Sequence, residues 1–127
     1  MNLEKVIFGF FIIFACTLNF GFFIGEIDRV ELHHPMELFA AVVVNLIATV
    51  LKFGDRTQLG ATHLATSLVA TFQLLAASMV WAWQLYVTGA PMNAELIAVV
   101  VSLSGGALLA NFVSVILLLG ETLRQGR

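Results

Sequence analysis

The apolar positions of this chain do not alternate with polar ones. They form four long stretches, at residues 6–24, about 35–53, about 61–87 and about 94–120. A helix needs about 20 consecutive apolar residues to cross the hydrocarbon core of a bilayer, and each stretch meets that length. The connections are short, the longest being residues 25–34. The punctuation agrees with these limits. His34-Pro35-Met36-Glu37 places proline in a first turn with a carboxylate behind it, as a helix start favours. Gly54-Asp55-Arg56 closes the second stretch, Thr88-Gly89-Ala90-Pro91 forms a tight turn, and Asn93 can cap the fourth helix. Trp81, Trp83 and Tyr86 stand where an interfacial aromatic belt would lie. The pattern predicts an all-α, four-helix transmembrane bundle in which residues 1–127 form a single domain. The first stretch has the outline of a signal peptide. It is longer than an h-region of about 7–15 residues, and no clean cleavage site follows, so it reads as a retained helix.

Composition supports the membrane reading. Hydrophobic residues make up 60% of the chain and charged residues 11%, with a mean hydropathy of +0.98. Soluble domains run at about 45–50% and 25%. The net charge of −2 leaves no basic surface for nucleic acid. The lone cysteine, Cys16, lies in an apolar run and reads as a small hydrophobe. Charge distribution sets the orientation. With four spans, Lys5, Lys52, Arg56, Arg124 and Arg127 fall on one side and only Arg29 on the other. The positive-inside rule then places both termini in the cytoplasm. Glu26, Asp28, Glu31, Glu37 and Glu95 fall on the outer side.

Polar residues within the spans are the candidates for chemistry. Glu37, Ala41, Asn45 and Thr49 recur every four residues of the second helix and share one face, with Lys52 near its cytoplasmic end. The other face, Phe39, Val42, Val43, Leu46 and Val50, suits lipid or apolar packing. Hydrocarbon would leave Asn45 unsatisfied, so this stripe needs protein or water beside it. It is either the lining of a pore or a packing seam with Asn45 bonded to a neighbouring helix. On the fourth helix, Ser102, Gly106, Ala110 and Ser114 form a small-xxx-small surface, with Ser104, Gly105 and Asn111 alongside. Such a surface lets two helices approach closely, within one subunit or between two copies. Gln73 and Asn19 are expected to make interhelical hydrogen bonds, and His63 an interfacial one. In the loop, Glu26, Asp28, Glu31, His33 and His34 could hold a divalent cation or concentrate cations at a pore mouth; a solvated polar loop is the plain alternative.

Several functions lack their residues. No ionisable side chain sits at mid-span, as coupled transporters usually require. No potassium-channel filter, phosphate loop, Ser/His/Asp set or Cys/His cluster is present, and no enzyme activity or bound cofactor is expected beyond that possible cation. The segments Glu37-Leu-Phe-Ala-Ala and Asn45-Leu-Ile-Ala-Thr-Val-Leu-Lys-Phe-Gly-Asp-Arg-Thr57 resemble a family of short bacterial inner-membrane proteins of unknown function. So do Met1-Asn-Leu-Glu-Lys-Val-Ile-Phe-Gly-Phe-Phe and Leu18-Asn-Phe-Gly-Phe-Phe-Ile-Gly25. The resemblance implies a bacterial inner membrane and supplies no activity. The leading expectation is an oligomeric channel or passive pathway for cations, lined by Glu37, Ala41, Asn45, Thr49 and Lys52. The alternatives are an accessory subunit that binds another membrane protein, and a small solute transporter. The expected partners are the bilayer and further copies of the chain.

Overall fold

The computed structural model describes residues 3–24, 29, 33–55 and 57–125, leaving aside the side chain of Gln125. Four helices follow one another: α1 (Leu3–Phe23), α2 (Pro35–Lys52), α3 (Gln58–Ala82) and α4 (Ala94–Gln125). A single π-helical turn, Trp83–Val87, continues α3. No strand occurs among the described residues. All four helices are long and apolar enough to cross a membrane, the third including its π turn.

Local chemistry sets the helix ends. Pro35 opens α2 behind His34, whose backbone is extended, because proline tolerates a first-turn position where its missing N–H is not needed. Thr57 caps α3, its hydroxyl oxygen accepting from the Gly60 N–H at 2.9 Å. Asn93 caps α4 as its position predicted, its side-chain oxygen accepting from the Leu96 N–H at 2.9 Å. In the π turn the Thr88 N–H donates to the Trp83 carbonyl five residues back, at 3.1 Å. The chain then reverses at Gly89, whose φ of 73° only glycine adopts readily. The helices start and stop within a few residues of the predicted limits, α1 and α3 each beginning three residues early and α4 running on to Gln125.

The helices run alternately up and down and close into a ring, each packing mainly against two neighbours, with α1 meeting α4 to complete it. One end of the bundle carries the start of α1, the end of α4 and the α2–α3 turn. There Lys5 pairs with Glu121, and Lys52 pairs with Asp55 at 3.4 Å. We call this the terminal end and the other the loop end.

The outward faces are apolar. Phe10, Phe20, Phe39, Val50, Phe72 and Leu109 are among the exposed side chains. On α2 the face read as lipid-facing is exposed at Phe39, Val43, Leu46 and Val50, while Val42 turns inward. The interior is divided. Toward the loop end, Phe22, Leu38, Leu74, Trp81, Ile97 and Val101 belong to one large apolar cluster. Near the terminal end a small cluster holds Phe8, Ile12 and Ala48. Burial in hydrocarbon does not itself drive such packing. Dispersion contacts and interhelical hydrogen bonds hold membrane helices together.

Candidate functional site

Between the two apolar clusters the interior is polar. On α2, Ala41, Asn45 and Thr49 are buried. The Asn45 amide nitrogen donates to the Ala41 carbonyl at 2.8 Å, and the Thr49 hydroxyl donates to the Asn45 carbonyl at 2.8 Å. Both bonds stay within α2, so the side-chain oxygen of Asn45 is left buried with no protein partner. The Thr49 hydroxyl also meets the Thr71 hydroxyl of α3 at 3.3 Å. Ser67 lies one turn before Thr71 on the same face of α3. It is fully buried, and its hydroxyl has no protein partner.

Helix four faces this polar strip. His63 Nδ1 shares a hydrogen bond with Ser114 Oγ at 3.2 Å, and Ser114 also meets the Thr66 hydroxyl. Further along, a Cβ placed on Gly106 would meet the Gln73 amide 2.5 Å away. These two contacts fix the antiparallel register of α3 and α4, and that register sets Ser67 opposite Asn111. Asn111 is fully buried, and neither end of its carboxamide has a protein partner. The α1–α4 register, set by the approach of Gly9 to Leu118 and of Asn19 to Ser104, brings Ala15 of α1 opposite Asn111. Ala15 is also fully buried.

The result is a belt of uncharged polar side chains running from Asn45 and Thr49, through Thr71 and Ser67, to Asn111, Ser114 and His63. Asn19 and Ser104 lie on its loop side, 2.6 Å apart, and with the amide nitrogen turned to Ser104 the Asn19 oxygen accepts from the Leu108 N–H at 3.0 Å. On its terminal side the Phe8 ring lies edge-on to the His63 ring, centroids 4.9 Å apart, and the Lys52 ammonium sits 4.2 Å above the same ring. Beyond Phe8 an open groove of about 820 Å³ is lined by Lys5, Lys52, Asp55, Thr57 and Glu121 among others. Asp55 accepts from the hydroxyl and the N–H of Thr57, at 2.7 and 2.9 Å. Those bonds, the hydroxyl's first, hold its carboxyl below the usual carboxylate range, with Lys52 adding to the effect.

Of the residues proposed from sequence, Ala41, Asn45 and Thr49 are brought together, on the inside of their own bundle. Glu37 is half-buried against Gly21, and Lys52 closes the terminal end. The stripe on α4 winds from the surface into the core. Ser102 is exposed, Gly106 and Ala110 are half-buried, and Ser114 is buried. Gly106 makes room for Gln73 of the same chain. His63 is not interfacial but buried, because the α3–α4 register carries it onto Ser114. In the loop, Glu26, Asp28 and Glu31 lie outside the described residues. His33 is buried, its Nδ1–H donating to the Phe22 carbonyl at 2.5 Å, while His34 is exposed. Among the described residues no three His, Cys, Asp or Glu side chains gather as a metal site. Sequence reasoning missed Ser67, which stands in a run of Ser, Thr and Ala with no periodic signal of its own.

Residues 32–122 match a family described as a family of unknown function, DUF6394, and the chain belongs to it. No curated protein and no solved structure matches the chain.

Proposed function

We propose that this DUF6394 chain forms a gated passive pathway for cations across a bacterial inner membrane, with both termini cytoplasmic. The observation that carries this reading is the belt: buried oxygens of Asn45, Ser67 and Asn111 that have no protein partner, on three helices. Native interiors leave few such groups unpaired, because each costs about 1–3 kcal/mol. Groups of this kind suit a site that exchanges hydrogen bonds or coordination with a passing species.

The path runs through the interior of one bundle, since the polar face of α2 points inward. A cation enters from the groove beside Asp55 and Glu121 and gives up part of its hydration to the amide and hydroxyl oxygens of the belt. It leaves past the apolar cluster of Phe22, Leu74 and Trp81. That cluster and Phe8 are dry constrictions, which close a pore by excluding water. Further copies of the chain surround the bundle and support its thin wall.

The test is cation flux into liposomes carrying the purified chain, with empty liposomes and an Asn111→Leu variant beside it. Flux that needs the protein and falls at least tenfold in the variant is the expected result. No flux for several cations across a range of pH would sink the reading, and a role as an accessory subunit would replace it.

A second reading is a small solute transporter working by alternating access. It is favoured by the position of the belt, which has an apolar cluster on each side. Saturable flux without single-channel steps would select it.

A further inference from the structure

We propose that a groove between α3 and α4 at the terminal end holds an anionic phospholipid, its phosphate on Arg124 and an acyl chain along Leu59, Ile116 and Leu117. The site lies apart from the belt and does not depend on the pathway reading.

The groove is open and has a volume of about 510 Å³. Its walls follow from the antiparallel register already fixed by His63 with Ser114 and by Gly106 with Gln73. That register sets Thr62 opposite Ile116 and Gln58 opposite Gly120. It carries Arg124 one turn further toward the end of the bundle. Polarity therefore changes along the groove. Ile116, Leu117 and Thr62 line its deeper reach, Leu59 the middle, and Gln58 and Arg124 the rim. The Thr62 hydroxyl donates to the Gln58 carbonyl at 3.1 Å, so its proton is engaged within α3. A phospholipid lying against the bundle presents its groups in the same order, acyl chain at depth and phosphate at the rim.

Two features set this groove apart from an ordinary lipid-facing seam. The first is Gly120. Gly9, Gly21, Gly60, Gly105 and Gly106 each sit against a side chain from another part of the chain, whereas a Cβ on Gly120 would meet nothing within 4 Å. Glycine weakens a helix relative to most other residues, and here no neighbour in the chain takes up the room it leaves. The second is Arg124. Among the described residues the salt bridges are Lys5 with Glu121 and Lys52 with Asp55, and Arg124 joins neither. Glu121, also in the wall, is engaged by Lys5, which leaves Arg124 as the unpaired charge of the groove. A guanidinium holds a phosphate through two parallel N–H···O bonds, and basic pockets between membrane helices take anionic headgroups. The unpaired cation selects a lipid of net negative charge over a zwitterionic one. The apolar depth selects a lipid over free phosphate.

The experiment is thermal unfolding of the purified full chain in dodecyl maltoside micelles. Phosphatidylglycerol, phosphatidylcholine of the same acyl chains, or sodium phosphate is titrated in at matched ionic strength. Phosphatidylglycerol should raise Tm by about 3 °C or more in a saturable way. Phosphatidylcholine should give a clearly smaller rise and sodium phosphate none. The rise, read within each variant, should vanish in Arg124→Gln, which loses the phosphate partner, and in Gly120→Leu, which fills the groove. Both positions are exposed, so both variants should keep the native helix content, checked by circular dichroism. No rise with phosphatidylglycerol overturns the site, and so does a rise that survives either substitution. An equal rise with phosphatidylcholine overturns the charge assignment. An equal rise with sodium phosphate gives the groove to a free anion and removes the lipid. A Tm that climbs with protein concentration and not with lipid gives it to a second copy, which also overturns the proposal.

Discussion

The two parts of the bundle interior solve the same packing problem with different groups. Toward the loop end, Phe22, Leu38, Leu74, Trp81, Ile97 and Val101 interlock mainly through apolar surface, with the unpartnered oxygens of Gln73 and Ser78 beside them on α3. In the belt, side chains of similar burial carry amides and hydroxyls, and several of those go unpaired. An interior built only for stability would extend the first arrangement along the whole length. The contrast separates residues that hold the helices together from residues that the bundle carries at some cost. Gains and losses of stability should divide along the same line.

The largest loss is expected in the apolar part. Leu74 is fully buried, and Leu74→Ala should cost about 2–5 kcal/mol, the usual range for a buried leucine truncation. Reversible unfolding in mixed micelles measures it. A loss below 1 kcal/mol would mean that the cluster is loosely packed and would erase the comparison. Gly105→Ala comes next. A Cβ there would lie 2.8 Å from the Phe23 ring, and forcing α1 away from α4 should cost about 1–3 kcal/mol. At Gly106 the nearest group is the mobile end of Gln73, so Gly106→Ala should cost clearly less than Gly105→Ala in the same assay.

In the belt the sign should change. Asn111→Leu removes two unpaired, fully buried polar atoms. Its stability should stay within about 1 kcal/mol of the parent, or rise, because an apolar replacement of a poorly bonded group is often neutral or better. A loss above 2 kcal/mol would show that Asn111 is a structural hydrogen-bonding residue.

The smallest effect belongs to the terminal end. The Asp55 carboxyl titrates below its ordinary value because Thr57 bonds its charged form. Its contribution is therefore complete above the unfolded value of about 3.9. It is lost as pH falls through the lower folded value. Asp55→Asn should flatten that part of the acid limb of a stability profile and leave neutral pH little changed. An unaltered acid limb would show that the α2–α3 turn does not depend on this carboxylate.

Much of the fold was legible in the sequence, because a bilayer imposes one strong requirement. Every backbone group must be bonded within its own segment, so four apolar runs of sufficient length had to be helices. Pro35 and Asn93 marked their ends for the same local reasons the structure shows. The belt was legible only in part. Asn45 and Thr49 declare a shared face by their spacing of four, whatever lies opposite. Ser67 and His63 do not, since their neighbours along α3 are also small or polar. Their burial is decided by the register against α4, through Ser114 and Gly106, and that register is a property of two distant segments. The stripe Ser102, Gly106, Ala110 and Ser114 misleads for a related reason. A strict spacing of four drifts around a helix of 3.6 residues per turn. The line that stays buried is Val100, Ser104, Ala107, Asn111 and Ser114.

The helices differ in length, and that couples the bundle to its surroundings. With 18 residues, α2 is about 27 Å long, a little under a typical hydrocarbon thickness of about 30 Å. With 32 residues, α4 reaches about 48 Å and must lean or extend beyond the slab. In a thickening membrane α2 is thus the first helix left short. Lys52 and Glu37 would be drawn toward the lipid, and the pull would fall on the helix that bears Asn45 and Thr49. Acyl-chain length then becomes a physical input to the polar belt, one that reaches it without any ligand or voltage.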